Sequence, residues 1–160
     1  MAKTYLIGRS PCVSDDAAAR GDAEFVAYAL GSCVAVCLYD AASRTGGMAH
    51  VLLPDSGGRG LPPDERGRYA DTAVEELLRL MQSKGADLGR VKAKIYGGAK
   101  MFSLGPQAMH GDIGRLNAEA VARQLAKHGV ALLEADTGGS SARTVTFDLA
   151  DGSVAVKGGE

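Results

Sequence analysis

Cys33 and His50 are the side chains whose types and spacing predict covalent chemistry, since a thiol and an imidazole can form a nucleophile and its base. Cys33 follows the small residues Gly31 and Ser32 and begins an apolar run, and His50 comes 17 positions later. A thiol attacks well only as a thiolate, which a nearby imidazole can generate. A turn at Gly31 and Ser32 exposes backbone N–H groups, which an oxyanion hole requires. These residues predict a thiol hydrolase with Cys33 as nucleophile and His50 as general base.

Each of these residues also has a purely structural interpretation. A cysteine in an apolar run is often a small buried hydrophobe, and a single histidine is often a satisfied structural residue. Cys37 lies on the same side of a strand as Cys33 but lacks the preceding glycine turn, so we interpret it as core packing. A disulfide between the two is disfavoured because residues four apart in a strand are separated by about 13 Å. A zinc site of Cys33, Cys37 and His50 matches no common ligand spacing, so no metal is predicted.

The composition is that of an ordinary globular protein, and we expect residues 1–160 to form a single domain. The chain has 160 residues, of which 46% are hydrophobic and 23% charged, enough for a sizeable core. Its 18 basic and 19 acidic side chains include no basic block, which excludes the electrostatic pattern of a nucleic-acid-binding protein. No segment approaches the roughly 20 apolar residues of a membrane-spanning helix, and the N-terminus resembles no signal peptide. We therefore expect a cytoplasmic protein with reduced thiols.

The segment that carries the nucleophile reads as two strands joined by a kink. Residues 25–39 are nearly continuously apolar, and Gly31 and Ser32 interrupt them. The length and the β-branched content of this run predict two buried strand pieces. Cys33 is thereby placed where the second piece begins.

The segment that carries the histidine reads as the next strand. Residues 46–53 form a second apolar run, which Pro54 ends, and residues 40–47 supply a reversal before it. Pairing of the two segments as neighbours would bring His50 to the nucleophile. The segment that follows, 55–68, is rich in glycine, proline and charge, which predicts an exposed loop. This loop either lines a groove beside His50 or is a solvated connector without a role.

The rest of the chain predicts an α+β fold with at least six strands and two principal helices. Residues 71–85 have the apolar periodicity of an amphipathic helix, with Thr72 and Glu75 as a capping box and Gly85 as the terminator. Residues 117–128 show the same periodicity and predict a second helix. The other expected features are strands at 3–8, 91–95, 130–133, 144–149 and 154–156, a loop or short turn at 15–22, and an apolar contact at 101–102.

Several of these segments resemble a known family. Residues 30–40 resemble the nucleophile segment of bacterial chemoreceptor glutamine deamidases, the CheD family, and residues 47–54 resemble its histidine segment. The resemblance covers nearly the whole chain in order, which is far more specific than a single cysteine and histidine. It continues through residues 68–73, 93–99, 113–117 and 136–143.

The resemblance implies a fold of packed mixed β-sheets flanked by helices, similar to the catalytic domain of cytotoxic necrotizing factor toxins. It implies hydrolysis of selected glutamine side chains on methyl-accepting chemotaxis receptors to glutamate and ammonia, through a cysteine thioester and without a cofactor. Cys33 and His50 match the family's catalytic cysteine and histidine. A CheC-type phosphatase of the chemotaxis response regulator is implied as a partner, and we expect a chain that is monomeric alone.

One position departs from the family pattern. The family's catalytic set resembles a Cys-His-Thr arrangement, with the threonine six positions before the nucleophile, where this chain has Ala27. A third group normally orients the base, and an alanine side chain cannot do so. Tyr28, Ser32 or a backbone carbonyl is then the candidate orienter. The departure also keeps open a non-catalytic adaptor that binds receptors and the phosphatase. A redox-sensing thiol protein is a third alternative, which rests only on Cys33 and Cys37.

Overall fold

The chain folds into two mixed β-sheets and two α-helices, as seen in a computed structural model that describes residues 3–8, 10–13, 23–101 and 112–159. The predicted loop at 15–22 lies outside the described residues, and so does Phe102 of the apolar contact predicted at 101–102. The helices are α1 (Ala70–Ser83) and α2 (Ile113–Lys127), with 3₁₀ helices at Pro63–Arg68 and Leu88–Arg90. The strands are β1 (Lys3–Leu6), β2 (Cys12–Val13), β3 (Ala23–Leu30), β4 (Val34–Asp40), β5 (Thr45–Val51), β6 (Lys92–Gly97), β7 (Ala131–Thr137), β8 (Arg143–Asp148) and β9 (Val154–Gly158).

The strands divide between a four-stranded and a five-stranded sheet. The smaller sheet has the order β1-β3-β8-β9 and the larger one β2-β5-β4-β6-β7. The pairs β1–β3 and β6–β7 are parallel and the other pairs are antiparallel. The predicted α+β class with packed mixed sheets is therefore confirmed.

One hydrophobic core fills the space between the two sheets. Aromatic rings from both sheets meet there at steep angles: Tyr39 of β4 and Phe147 of β8 have centroids 6.0 Å apart, an edge-to-face arrangement that rings prefer. The buried members of this core are Ile7, Ala23, Phe25, Ala27, Leu30, Ala35, Cys37, Met48, Tyr96, Val145, Phe147 and Leu149.

A second core lies between the larger sheet and the helices. Val34, Val36 and Leu38 of β4 pack there, whereas the intervening Ala35 and Cys37 face the other sheet. β4 is thus covered on both faces, which explains why its sequence is apolar without alternation. The layers are helices, five-stranded sheet and four-stranded sheet. Among the described residues, neither helix combines the length and apolar character that crossing a bilayer requires.

Helix α1 is confirmed, but its predicted capping box is wrong. The helix begins at Ala70, and Tyr69 occupies the N-cap position without a side-chain hydrogen bond. The Thr72 hydroxyl instead donates to the Arg66 carbonyl at 2.5 Å. The physical reason is the 3₁₀ helix Pro63–Arg68, which lies directly before α1 and supplies that acceptor. The same 3₁₀ helix corrects the prediction that residues 55–68 are loop throughout.

Helix α2 begins earlier than the periodicity predicts. It starts at Ile113, and the Asp112 carboxylate caps it by accepting the Arg115 N–H at 3.0 Å. The first turn contains Gly114, a poor helix former, so local propensity does not mark the start of the helix. Strand β7 likewise runs to Thr137, beyond the predicted end at 133. As an edge strand with mostly exposed side chains it lacks the burial that would produce an apolar pattern.

Asp40 ties the end of β4 to the segment before β6. Its buried carboxylate accepts hydrogen bonds from Arg90 Nε and Nη2, both at 3.0 Å, and from the Asp87 N–H at 3.0 Å. The Arg90 guanidinium holds the pKa of this carboxyl well below its usual range, against the opposing effect of burial. A group whose pKa falls on folding stabilises the fold above its unfolded pKa and loses that contribution as the pH falls.

We expect Asp40→Asn to lower the free energy of unfolding by about 2–4 kcal/mol at neutral pH, because the charged partner and buried donors lose their acceptor. The difference from the parent chain is expected to shrink below about pH 4, where unfolded aspartate takes up a proton. Urea unfolding at several pH values measures both effects. Glu119→Gln, which breaks an exposed ion pair with Arg115, is the control and is expected to change little. A difference that stays constant down to about pH 2.5 would contradict this role.

Candidate active site

Cys33 lies in the short connection that crosses from one sheet to the other. Strand β3 belongs to the four-stranded sheet and β4 to the five-stranded sheet, and residues 31–33 join them. We call residues 31–33 the nucleophile turn. The predicted kink at Gly31 and Ser32 is confirmed, and the two strand pieces around it lie in different layers. Cys33 is partly buried at the start of β4.

Three consecutive carbonyl groups anchor the nucleophile turn. All of them accept hydrogen bonds from groups on the segment after β6 or on α2, so the turn is held on one side by donors distant in sequence. The bonds run from the Ala99 N–H to the Gly31 oxygen at 2.8 Å, from Asn117 Nδ2 to the Ser32 oxygen at 2.9 Å, and from the Gly98 N–H to the Cys33 oxygen at 2.9 Å.

Gly97 lets the end of β6 approach this turn. Its φ is +114°, and a Cβ added there would lie 2.2 Å from the Cys33 carbonyl oxygen. Gly98 follows with φ +64°, and its Cβ would lie 2.7 Å from the Gly114 oxygen. Both the conformation and the space therefore require glycine. The predicted break of the strand at these two residues is confirmed.

The pairing of β4 with β5 places His50 beside the strand that follows Cys33. The two strands are antiparallel neighbours, and His50 lies opposite Ala35. Cys33 comes two positions before Ala35, so it faces the same side of the sheet. Diagonal neighbours of this kind have Cα atoms about 7–8 Å apart, within reach of long side chains. The predicted pairing of the two segments is confirmed.

The ring of His50 has a defined hydrogen bond on its Nδ1 side. Nδ1 lies 3.1 Å from the Ile7 carbonyl oxygen, and a carbonyl only accepts, so Nδ1 carries the proton and Nε2 of the neutral ring is a free acceptor. Ile7 is itself fixed, since its N–H donates to the Val26 carbonyl at 2.9 Å. Ala27 is buried between the sheets, and Tyr28 is 59% exposed.

The environment of Cys33 favours the neutral thiol. Partial burial raises the pKa of the Cys33 thiol, because burial disfavours the charged form. Cys37 is fully buried in the core between the sheets, as predicted, and burial raises its pKa further. A base that removes the proton of Cys33 during attack is therefore needed.

We expect the rate of Cys33 alkylation to rise with pH, with a midpoint above the pKa of about 8.5 of a free cysteine. The sign follows from the raised pKa: the thiolate fraction grows only as the pH passes that value. Iodoacetamide labelling over a range of pH, followed by peptide mapping, measures the midpoint and separates Cys33 from Cys12 and Cys37. A midpoint below that of a free cysteine would indicate a preformed thiolate–imidazolium pair instead.

An open groove runs beside the histidine. It has a volume of about 220 Å³ and is lined by Gly8, His50, Leu52 and Arg68. The Arg68 carbonyl accepts the Leu52 N–H at 2.7 Å, so the end of the 3₁₀ helix is held against the strand that carries the histidine. Arg68, the last residue of the segment predicted to line a groove beside His50, lines this groove. The groove is shallow enough to admit a side chain presented on another protein.

A larger cavity, of about 520 Å³, lies toward the other end of β4. Its walls include Cys37, Tyr39 and Arg90, whereas Cys33 precedes the first residue of the strand. The lining contains a thiol but no imidazole. Neither Cys33 nor His50 is among the residues that line it, so this cavity is separate from the pair predicted from the sequence.

Sequence patterning identified neither Ile7 nor Asn117 as part of this site. Ile7 contributes through its main chain, for which no side-chain signal exists. Asn117 is fully buried on α2, and a buried polar residue in the apolar face of a helix is the signal that marks it.

Comparison with known proteins shows the family of the chain. The family model described as CheD chemotactic sensory transduction matches residues 52–158, a range that begins just after His50. The chain is 46% identical to the chemoreceptor glutamine deamidase CheD of Thermotoga maritima. The aligned region has 138 residues, which are 84% of this chain and 83% of that protein.

Archaeal relatives are similar along most of their length. The probable chemoreceptor glutamine deamidase CheD of Methanococcus maripaludis strain C6 is 43% identical over 136 residues, 85% of this chain and 86% of that protein. The protein of the same name from Thermococcus kodakarensis is 39% identical over 148 residues, 91% of this chain and 89% of that protein. The chain belongs to the CheD family of chemotactic sensory transduction proteins.

Proposed function

We propose that this chain is a protein-glutamine deamidase, which hydrolyses selected glutamine side chains of methyl-accepting chemotaxis receptors to glutamate and ammonia. The observation that carries the proposal is the placement of Cys33 and His50 on paired segments, with the His50 ring oriented through Nδ1 by the Ile7 carbonyl at 3.1 Å. The names of the relatives supply the substrate class.

The first half of the reaction forms a thioester. Nε2 of His50 takes the proton from Cys33 as the sulfur attacks the carboxamide carbon of the substrate glutamine. The carbonyl oxygen becomes an oxyanion, for which backbone N–H groups of Ser32 and Cys33 are the donors. When the tetrahedral intermediate collapses, the carbon–nitrogen bond breaks and the imidazolium gives its proton to the leaving ammonia.

The second half of the reaction releases glutamate. His50 takes a proton from water, which attacks the thioester carbon, and the carbon–sulfur bond then breaks. The thiolate of Cys33 recovers its proton from the imidazolium. One water is consumed for each ammonia released, and the enzyme returns to the neutral pair with which it started.

The Ile7 carbonyl takes the orienting role for which the family pattern has a threonine. It lies at hydrogen-bond distance from Nδ1 and is held by the main-chain pairing of β1 with β3. This contact fixes the tautomer that a general base requires. Tyr28, with its ring largely in solvent, is left free to contact a bound protein.

A second candidate function is a non-catalytic adaptor, which binds receptors and a CheC-type phosphatase. Exposed apolar side chains near the nucleophile turn favour it: Tyr28 is 59% exposed, Leu52 38% and Met101 42%. Single exposed apolar residues are ordinary on a surface, but a group of them beside a groove marks an interaction site. The same surface serves a deamidase that must hold a receptor helix.

The deciding experiment is incubation of the purified chain with a receptor cytoplasmic domain. Peptide mass spectrometry detects each conversion of a carboxamide to a carboxylate, and an ammonia assay follows the second product. The deamidase predicts both signals. Receptor binding without either signal would favour the adaptor.

A further inference from the structure

Asn117 connects the nucleophile turn to the strand that carries the histidine. Its Nδ2 donates to the Ser32 carbonyl at 2.9 Å and to the Leu52 carbonyl at 3.0 Å. Ser32 directly precedes Cys33, and Leu52 comes two residues after His50. The side chain is fully buried. One amide group of α2 therefore holds both segments of the active site at once.

The amide makes this connection by donation alone. Both partners are carbonyl oxygens, which fixes Nδ2 as the atom that faces them. The Oδ1 atom is buried and has no hydrogen-bond partner within the described part of the chain. A buried polar atom without a partner lowers the stability of the fold. The unpaired Oδ1 makes Asn117 unfavourable for the stability of the fold. We therefore attribute its presence to the two hydrogen bonds that Nδ2 donates.

The bond to Ser32 sets the direction of the next N–H. The peptide bonds described here are trans, so the N–H of Cys33 points opposite to the Ser32 carbonyl. That carbonyl points to α2, on the helix side of the larger sheet, so the Cys33 N–H points to the side on which Cys33 and His50 lie. Among the described residues this N–H has no hydrogen-bond partner.

The preceding peptide follows the same rule. The Gly31 carbonyl accepts the Ala99 N–H at 2.8 Å, so the Ser32 N–H also points away from its anchor, and it too is without a partner among the described residues. Two successive free N–H groups form a concave site for an anion. The donors of the proposed oxyanion hole are thus aimed by hydrogen bonds on the opposite side of the turn.

We infer that Asn117 is a positioning residue of the active site, which aims the Cys33 N–H at the developing oxyanion and ties the nucleophile turn to the histidine strand. The inference rests on the proposed deamidase function. Asn117 touches neither substrate nor the reacting atoms, and it acts through the Ser32–Cys33 peptide.

The test compares two reactions of the same thiol. Deamidation forms an oxyanion, whereas alkylation by iodoacetamide does not, although both need Cys33. In Asn117→Ala we expect kcat for receptor deamidation to fall about a hundredfold, the order of magnitude of losing an oxyanion donor. We expect KM and the rate of Cys33 alkylation to stay within about threefold of the parent values, because neither depends on the oxyanion.

The matched control is Gln124→Ala. Gln124 lies two turns further along the same face of α2 and also has a buried side-chain oxygen without a partner among the described residues. No side-chain hydrogen bond joins it to the turn or to the histidine strand within that part of the chain, unlike Asn117. We expect it to leave both reactions unchanged. If Asn117→Ala does not fold, as judged by circular dichroism and urea unfolding, Asn117→Leu takes its place, since leucine keeps the branched shape and has no donor.

The outcomes separate the two proposals. A selective loss of deamidation in the Asn117 variant supports the inference. Equal losses in both reactions, or a loss in neither, would overturn it while the parent chain's activity upholds the deamidase. A parent chain that releases no ammonia from receptor would refute the proposed function and the inference together.

Discussion

Replacing Cys33 with alanine is expected to lower receptor deamidation by about 10⁴-fold or more, because removal of a nucleophile leaves only binding and oxyanion stabilisation. The fold is expected to survive, since Cys33 lies outside the regular strand and is only partly buried. Ammonia release and peptide mass spectrometry measure the loss, and urea unfolding reports stability. Cys33→Ser is expected to be nearly as inactive, because His50 must then activate a much weaker acid.

Cys37→Ala is the matched control for this prediction. Cys37 lies on the same face of β4 and is buried in the core between the sheets. Its loss removes packing and is expected to cost about 1 kcal/mol of stability, with the deamidation rate unchanged. Undiminished deamidation by Cys33→Ala, or equal losses in the two variants, would remove Cys33 from the mechanism.

Gly97→Ala is expected to lower the free energy of unfolding by roughly 3–5 kcal/mol, by summing the cost of an unfavourable backbone conformation and of overpacking. The new Cβ would lie 2.2 Å from the Cys33 carbonyl oxygen at a φ of +114°. That oxygen belongs to the main chain and cannot rotate away. The end of β6 must therefore withdraw, which breaks the bond from the Gly98 N–H to Cys33.

Deamidation is expected to be lost together with this contact, at temperatures at which the variant remains folded. Gly85→Ala is the control: Gly85 also has a positive φ, +100°, but nothing lies within 4 Å of its added Cβ. It is expected to cost about 1–2 kcal/mol through backbone conformation alone and to leave the reaction unchanged. Similar free energies of unfolding for Gly97→Ala and Gly85→Ala would show that the close approach of Gly97 to Cys33 does not contribute to stability.

Local patterns were sufficient for the elements whose burial is simple. The stripe of α1 is visible because one helix face packs on the sheet, and β4 is visible because both of its faces are covered. The glycine break after β6 and the kink before Cys33 are also local, since backbone conformation requires small residues there. These local features predicted that the segments of Cys33 and His50 are neighbours, and the pairing of β4 with β5 confirms it.

Features that the apolar pattern does not mark were mispredicted or missed. The capping box at Thr72 was wrong because a carbonyl of the preceding 3₁₀ helix offered its hydroxyl a different acceptor. The first turn of α2 was missed because the Asp112 cap, rather than apolar periodicity, marks its start. β7 was predicted too short because an edge strand buries little. In each case a hydrogen bond or the lack of burial, rather than the apolar pattern, sets the boundary.

The sequence by itself predicted the side chains of the proposed chemistry and the tight turn before the thiol, because these depend on residue type and local conformation. Only the tertiary structure decided what holds them: the Ile7 carbonyl on His50, and Asn117 with the end of β6 on the nucleophile turn. The group that contacts Nδ1 of His50 is a main-chain oxygen, which every residue has. Its position comes from the pairing of β1 with β3, so the type of residue at position 7 does not reveal it.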